Sequence, residues 1–262
     1  MMPSINFAQR ISSVDMLITN AAASSGFNPY TYGTPLLWLE ADRVGKVQEA
    51  DNSQCEDGDT VKNWYDATVA NYLFAQGTAA YRSEWWATGW SPNGIVALPT
   101  LRFDGNNDTL SMSETIDDGG SATFACVCKM NGLSGTHFLF DKLQGHNLRL
   151  WFEGGAFNVD VYDGTPWVSA TPTSHLLWSV VVARFTENGT LYMVYNNEDQ
   201  MIIDSTSKGT FAHGGQSNWV GSSINGTYPA SADIPLICMW SGAMSDANLN
   251  AMRIALRNKY GI

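Results

Sequence analysis

Positive charge is scarce in this chain. Fourteen lysines and arginines stand against 25 aspartates and glutamates, a formal net charge of −11, and the basic residues are scattered. A surface of that sign with no basic stripe has nothing to offer a phosphate backbone, so nucleic acid is excluded as the expected partner. Long apolar runs are missing too. Residues 176–185 come nearest, but Ser179 and Arg184 break them, far short of the ~20 residues that cross a bilayer; no membrane partner is expected. The opening stretch has no basic start followed by an unbroken apolar block, because Gln9, Arg10, Ser12 and Asp15 interrupt it, which argues against a secretory signal. Cysteine is sparse: Cys126 and Cys128 lie two apart on one expected strand, sharing a face without disulfide geometry, Cys55 falls in a polar turn, and Cys238 in a late strand. All four are expected to be reduced, as in a chain assembled in a reducing cytoplasm. No repeat of 20 to 50 residues is visible, which excludes propellers and solenoids.

Nucleophilic chemistry lacks its signatures as well. His137, His146, His175 and His213 lie in separate loops or strand ends, and no Gly-x-Ser-x-Gly elbow accompanies them. A catalytic triad is not indicated.

What the chain does have is glycine, asparagine and short apolar runs. Strands are expected over residues 122–130, 147–152, 156–162, 178–185 and 190–195. In the second of these, Leu148, Leu150 and Phe152 alternate with Arg149 and Trp151, one apolar face against a solvated or aromatic one. The run Val180-Val181-Val182 reads as buried on both sides. Turn dipeptides at Asp57-Gly58, Asn93-Gly94, Asp104-Gly105, Asn131-Gly132, Asp163-Gly164, Asn188-Gly189 and Asn225-Gly226 predict a fold dominated by hairpins. Within Ile234-Pro235-Leu236-Ile237, the proline predicts an edge position or a strand start. Residues 244–262 form a helix that opens at Ser245 and Asp246, shows Leu249, Met252, Ala255 and Leu256 on one face, and stops at Tyr260-Gly261. Near the start, Phe7, Ile11, Val14, Leu17 and Ile18 recur at helical spacing over residues 3–23. This arm either packs on its own sandwich or docks on a neighbouring subunit or larger assembly. A linker follows to residue 34, and residues 35–262 form one domain.

Five pieces, in order, carry a resemblance: Leu37-Trp38-Leu39-Glu40-Ala41-Asp42; Asp57-Gly58-Asp59-Thr60-Val61 with Trp64-Tyr65-Asp66; Leu101-Arg102-Phe103-Asp104-Gly105-Asn106-Asn107-Asp108; Leu191-Tyr192-Met193-Val194-Tyr195; and Lys259-Tyr260-Gly261. Together they resemble the laminin-G-like, concanavalin-A-like jelly-roll domains found in bacterial surface proteins and phage virions. The resemblance implies an all-β fold, a two-sheet antiparallel jelly-roll sandwich, here with an N-terminal helical arm and a short C-terminal helix. Some relatives are glycosidases built on Glu-x-Asp-x-x-Glu, a motif absent here. The acidic pairs present, such as Glu40 with Asp42 and Asp57 with Asp59, read as solvated carboxylates at a strand end and in turns. No enzyme is expected.

Three sets of residues remain as candidates. Tyr81, Arg82, Glu84, Trp85, Trp86 and Trp90 concentrate aromatic and charged groups in a loop-like stretch, suited to a sugar platform, a subunit interface or a lid over the sandwich edge. Trp151, Tyr162, Trp167 and Trp219 form a second aromatic group, read as core filling. Asp104, Asn106 and Asp108, with Asn107, supply oxygens that suit either Ca2+ or the turn's own backbone. Taken with the resemblance, these features predict a non-enzymatic virion structural protein, a capsid decoration or other particle-attached protein. It would be assembled in the host cytoplasm, homo-oligomeric, and partnered by a major capsid protein. The alternative is a module that recognises cell-surface glycans, with glycoside hydrolysis a third reading.

Overall fold

A computed structural model describes residues 27–89, 98–116, 119–142, 148–161, 168–170, 178–186, 191–195, 202–204, 217–223 and 226–262. The expected arm, with Phe7, Ile11, Val14, Leu17 and Ile18, lies outside the described residues, as do Trp90, Tyr162, Trp167, His146, His175 and His213. After a 3-10 turn at Pro29–Tyr32, the chain runs through β1 (Pro35–Glu40), β2 (Val47–Gln48), β3 (Asn63–Tyr65) and β4 (Leu73–Ala75). A second 3-10 turn, Ala79–Tyr81, leads to β5 (Glu84–Gly89), β6 (Leu98–Asp104), β7 (Leu110–Met112), β8 (Ser121–Met130) and β9 (Thr136–Lys142). There follow β10 (Leu148–Glu153), β11 (Ala156–Val161), β12 (Val168–Ala170), β13 (Ser179–Thr186), β14 (Leu191–Tyr195), β15 (Ile202–Asp204), β16 (Asn218–Val220), β17 (Ser231–Ser241) and the helix α1 (Asp246–Tyr260).

The strands form two antiparallel sheets, as in a jelly-roll sandwich. The back sheet has the order β15-β14-β13-β8-β17-β6-β5, with β1 also paired to β17; the front sheet has the order β12-β11-β10-β9-β16-β7-β4-β3-β2. Alternation explains how the two meet. In β8, Phe124, Cys126 and Cys128 point into the layer between the sheets, where they join Phe140, Leu150 and Phe152 of the front sheet, while Ala125 and Val127 point the other way. That other way is not solvent. Ala125, Val127, Val180, Val182 and Cys238 make a bed of small side chains under Leu249, Met252, Leu256 and Tyr260 of α1. The back sheet is therefore covered on both faces, which is why Val180, Val181 and Val182 are all buried.

Helix α1 is delimited as its sequence dictates. The Ser245 hydroxyl accepts a hydrogen bond from the Asn248 amide at 3.3 Å, Asp246 sits in the first turn, and Gly261 ends the helix at φ 64°. Its last turn also carries an ion pair that corrects the reading of Glu40 as a solvated carboxylate. Glu40 is 1% exposed and is held by the Lys259 ammonium and by Arg43 Nε at 2.8 Å, while Lys259 also reaches Asp42 at 3.1 Å. Burial alone would lower the Lys259 pKa, but the charges of Glu40 and Asp42 outweigh it and hold it above the ordinary value.

Other expectations are corrected by the topology. Asp104-Gly105 and Asn131-Gly132 are not hairpin turns: each hands the chain from the back sheet to the front one, β6 to β7 and β8 to β9. Both glycines abut Ser231 of β17, where an added Cβ would come within 2.8 Å (Gly105) and 3.0 Å (Gly132) of the Ser231 Cβ. Pro235 is neither at an edge nor at a strand start. It lies inside β17 at a register shift between Asp233 and Leu236, where the strand stops pairing with β6 and begins pairing with β1, so its missing N–H interrupts no ladder. Cys55 belongs to the core, 3% exposed, and burial pushes its thiol up to about 12. The cysteines are all free thiols and all buried. Residues 27–33, read as a linker, dock beside α1: Phe27 is buried there and Trp240 donates its indole N–H to the Pro29 carbonyl at 3.1 Å.

Candidate functional site

Alternation fixes which residues of the front sheet face away from the core. Leu110, Met112, Val220, Phe140 and Leu150 point into the core, so the residues between them point out. Register then sets Ser111, Trp219, Asp141 and Arg149 in one outward row across β7, β16, β9 and β10. A bulge in β9 buries both Leu139 and Phe140 and turns Phe138 outward, opposite Trp151.

At one end of this face lies a cleft of about 490 Å³, lined by Gln76, Tyr81, Asn107, Thr109, Trp219 and Gly226. Its walls come from three distant stretches of the chain, 76–81, 107–109 and 219–226. Tyr81 ends the second 3-10 turn and is 45% exposed; its carbonyl accepts the Thr109 amide at 2.9 Å, which ties that turn to the β6–β7 loop. The Gln76 side chain is held by the Thr78 amide at 2.9 Å and by the Thr109 carbonyl at 3.3 Å, and Thr109 Oγ1 lies 2.6 Å from Ser222 Oγ. Two polar groups of the cleft lining have no hydrogen-bond partner among the described residues. The Asn107 side-chain amide enters no hydrogen bond within the protein, and the Trp219 indole N–H is buried without an acceptor. Two aromatic rings and an amide in one cleft suit a ligand that presents both C–H faces and hydroxyl groups.

The structure divides the first aromatic cluster. Glu84, Trp85 and Trp86 stand on strand β5 rather than in a loop, while Tyr81 and Arg82 close the 3-10 turn before it. Trp85 packs on the core and donates to the Ala41 carbonyl at 3.0 Å, covering the sandwich edge. Trp86 lies on the other face, with the Arg102 guanidinium 4.2 Å from its ring centre and its N–H on Glu84 at 3.0 Å. Arg102 is in turn bound to Asp233 through two nitrogens, at 2.8 and 3.1 Å. Arg82 is turned to the carbonyls of Gln76 and Gly77. Among the described residues of this cluster only Tyr81 lines the cleft, together with Trp219 from the second cluster. The sequence marked both residues but held nothing to join them; it showed Gly226 only as part of a turn and did not single out Gln76.

The loop of Asp104, Asn106 and Asp108 is built as a turn. Asp104 accepts from the Asn106 amide at 2.8 Å and from its side-chain nitrogen at 2.9 Å, and Asp108 accepts from the Asp104 amide at 2.8 Å. Three carboxylate oxygens of the loop thus accept hydrogen bonds from the turn itself. Among the described residues no group of three or more His, Cys, Asp or Glu could hold a metal. Burial raises the pKa of Asp108 to about 6, with the charges of Asp104 and Glu84 adding to it against the Asp104 hydrogen bond. The carboxylates of Asp57 and Asp59 hold backbone amides of Ala87 and Glu56, at 2.8 and 2.6 Å. His137 is buried with its ring nitrogens 2.8 and 3.0 Å from the carbonyl oxygens of Pro229 and Ser134.

No family model matches this chain, and no curated protein matches it either. Solved structures do. The receptor-binding domain of botulinum neurotoxin type G aligns with a TM-score of 0.54 and 8% identity over 86% of this chain and 52% of that one. The binding domain of botulinum neurotoxin DC, solved in complex with SialylT, aligns with a TM-score of 0.53 and 10% identity, again over 86% and 52%. The CBM40 of the Ruminococcus gnavus IT-sialidase, bound to α2,3-sialyllactose, gives a TM-score of 0.47 at 13% identity over 59% of this chain and 96% of that one. The chain thus spans about half the length of the toxin chains it matches, and the likeness is one of fold.

Proposed function

We propose that this protein is a glycan-binding module and that the cleft between Tyr81 and Trp219 is its sugar site. The observation that carries this reading is the cleft itself: an exposed tyrosine and a tryptophan line one depression together with the free amide of Asn107. Sugar rings stack their C–H faces on aromatic rings, and their hydroxyls need donors and acceptors that the protein has not already paired. A toxin binding domain of the same fold is solved with SialylT, which makes glycans the first ligand class to test. The virion reading rests on the arm over residues 3–23, outside the described residues, and on a resemblance; neither the cleft nor the comparisons support it.

Glycan-array screening followed by calorimetry tests the proposal. Trp219→Ala and Tyr81→Ala are each expected to weaken binding about tenfold, roughly 1.4 kcal/mol, without unfolding the domain. An array on which the natural chain binds nothing, or binding that both variants leave intact, would remove the cleft from consideration.

A further inference from the structure

A second aromatic group stands on the same outer face of the front sheet. Tyr228 is 56% exposed, its ring centre 5.7 Å from that of Phe138, which stacks in turn on Trp151 at 5.8 Å and 12°. Phe138 and Trp151 are side by side on β9 and β10 and both buried, so Tyr228, on the far side of Phe138, is the exposed end of a row of three rings. Its backbone is strained as well: φ is 52°, a conformation that bulky residues seldom adopt, and the residue that follows is Pro229. The surroundings enforce it. Phe138 N–H donates to the Tyr228 carbonyl at 3.1 Å, Ser223 N–H to that of Thr227 at 2.8 Å, and Ala230 N–H to that of Gly221 at 2.7 Å. A pinned, exposed ring loses little freedom when something stacks on it.

Position connects this ring to the cleft. Gly226, two residues before Tyr228, is part of the cleft wall. Trp219 is paired with Asp141 of β9, and Phe138, under Tyr228, is three residues earlier on that strand. At a strand rise of about 3.3 Å per residue the two platforms are roughly 10 Å apart, further than a single sugar ring reaches. We propose that Tyr228 is a second stacking subsite, so that the ligand is an oligosaccharide lying across the front sheet from Trp219 to Tyr228. This inference rests on the cleft being a sugar site.

The test is calorimetry on the full chain with the malto-, cello- and chito-oligosaccharide series from one to six units, alongside the glycan array. Affinity is expected to rise about tenfold or more between the two-unit and four-unit members of the series that binds. Tyr228→Asn, which removes the ring but tolerates the positive φ, is expected to abolish that gain while leaving two-unit affinity within about twofold. Tyr228→Phe should retain the gain. Affinity independent of length, or a gain that survives Tyr228→Asn, overturns the second subsite and leaves the cleft standing. No binding by any sugar in the series or on the array overturns both.

Discussion

Asp108 illustrates how much a single side chain beside the cleft can disclose. It lies between Asn107 and Thr109, is 6% exposed, and is raised by burial to about 6. An unfolded carboxylate ionises near 4, so below about pH 4 both states are protonated and Asp108 has no effect on stability. Between about pH 4 and 6 the unfolded chain ionises first, stability falls as pH rises, and above about pH 6 the full penalty is present. Asp108→Asn, whose side-chain oxygen can still accept the Asp104 amide, is therefore expected to stabilise the protein by about 1–3 kcal/mol at pH 8 and to be neutral near pH 3.5, as read by thermal unfolding. The sequence shows this residue only as one of several turn oxygens, because its burial depends on chain packed from elsewhere. Gly221 is hidden in the same way: it stands at φ 80°, and an added Cβ would lie 2.1 Å from the Phe103 ring. By contrast Ser245 and Gly261 were legible, since a helix cap is a local matter of one hydroxyl and one left-handed residue.

Among the elements, α1 is the one whose attachment can be tested most directly. Its apolar stripe holds it to the back sheet, and Lys259 locks its end to Glu40. Lys259→Ala is expected to lower stability by about 3 kcal/mol in denaturant unfolding, because Glu40 then keeps only the half-exposed Arg43 as a partner. The double replacement Glu40→Leu with Lys259→Met should recover most of the loss; if it does not, the ion pair is not what the single variant removes. Strand existence was readable from alternation: the expectations at 122–130 and 178–185 differ from β8 and β13 by a residue. Strand partnership was not. A turn glycine serves a hairpin and a sheet-to-sheet crossing alike, and what separates them at Gly105 and Gly132 is Ser231, far along the chain. Pro235 misled for a related reason, since the register shift that absorbs its missing N–H is a property of two partner strands and not of β17 alone.

At the scale of the molecule, the two sheets differ in how they are finished. The back sheet carries α1, the docked residues 27–33 and the fully buried Val180 and Val182, while the front sheet leaves Tyr81, Trp219 and Tyr228 on its outer face. A two-layer all-β fold could be anticipated from alternation, turn chemistry and one capped helix. The cleft could not, because Gln76, Tyr81, Asn107, Trp219 and Gly226 become neighbours only once both crossings are in place.

Phe27 and Ile262 both pack with α1, so the two ends of the described chain leave from behind the molecule. A biotin or an anchor appended at the C-terminus, after Ile262, would thus leave from the helix side and present the protein with the cleft between Tyr81 and Trp219 facing outward.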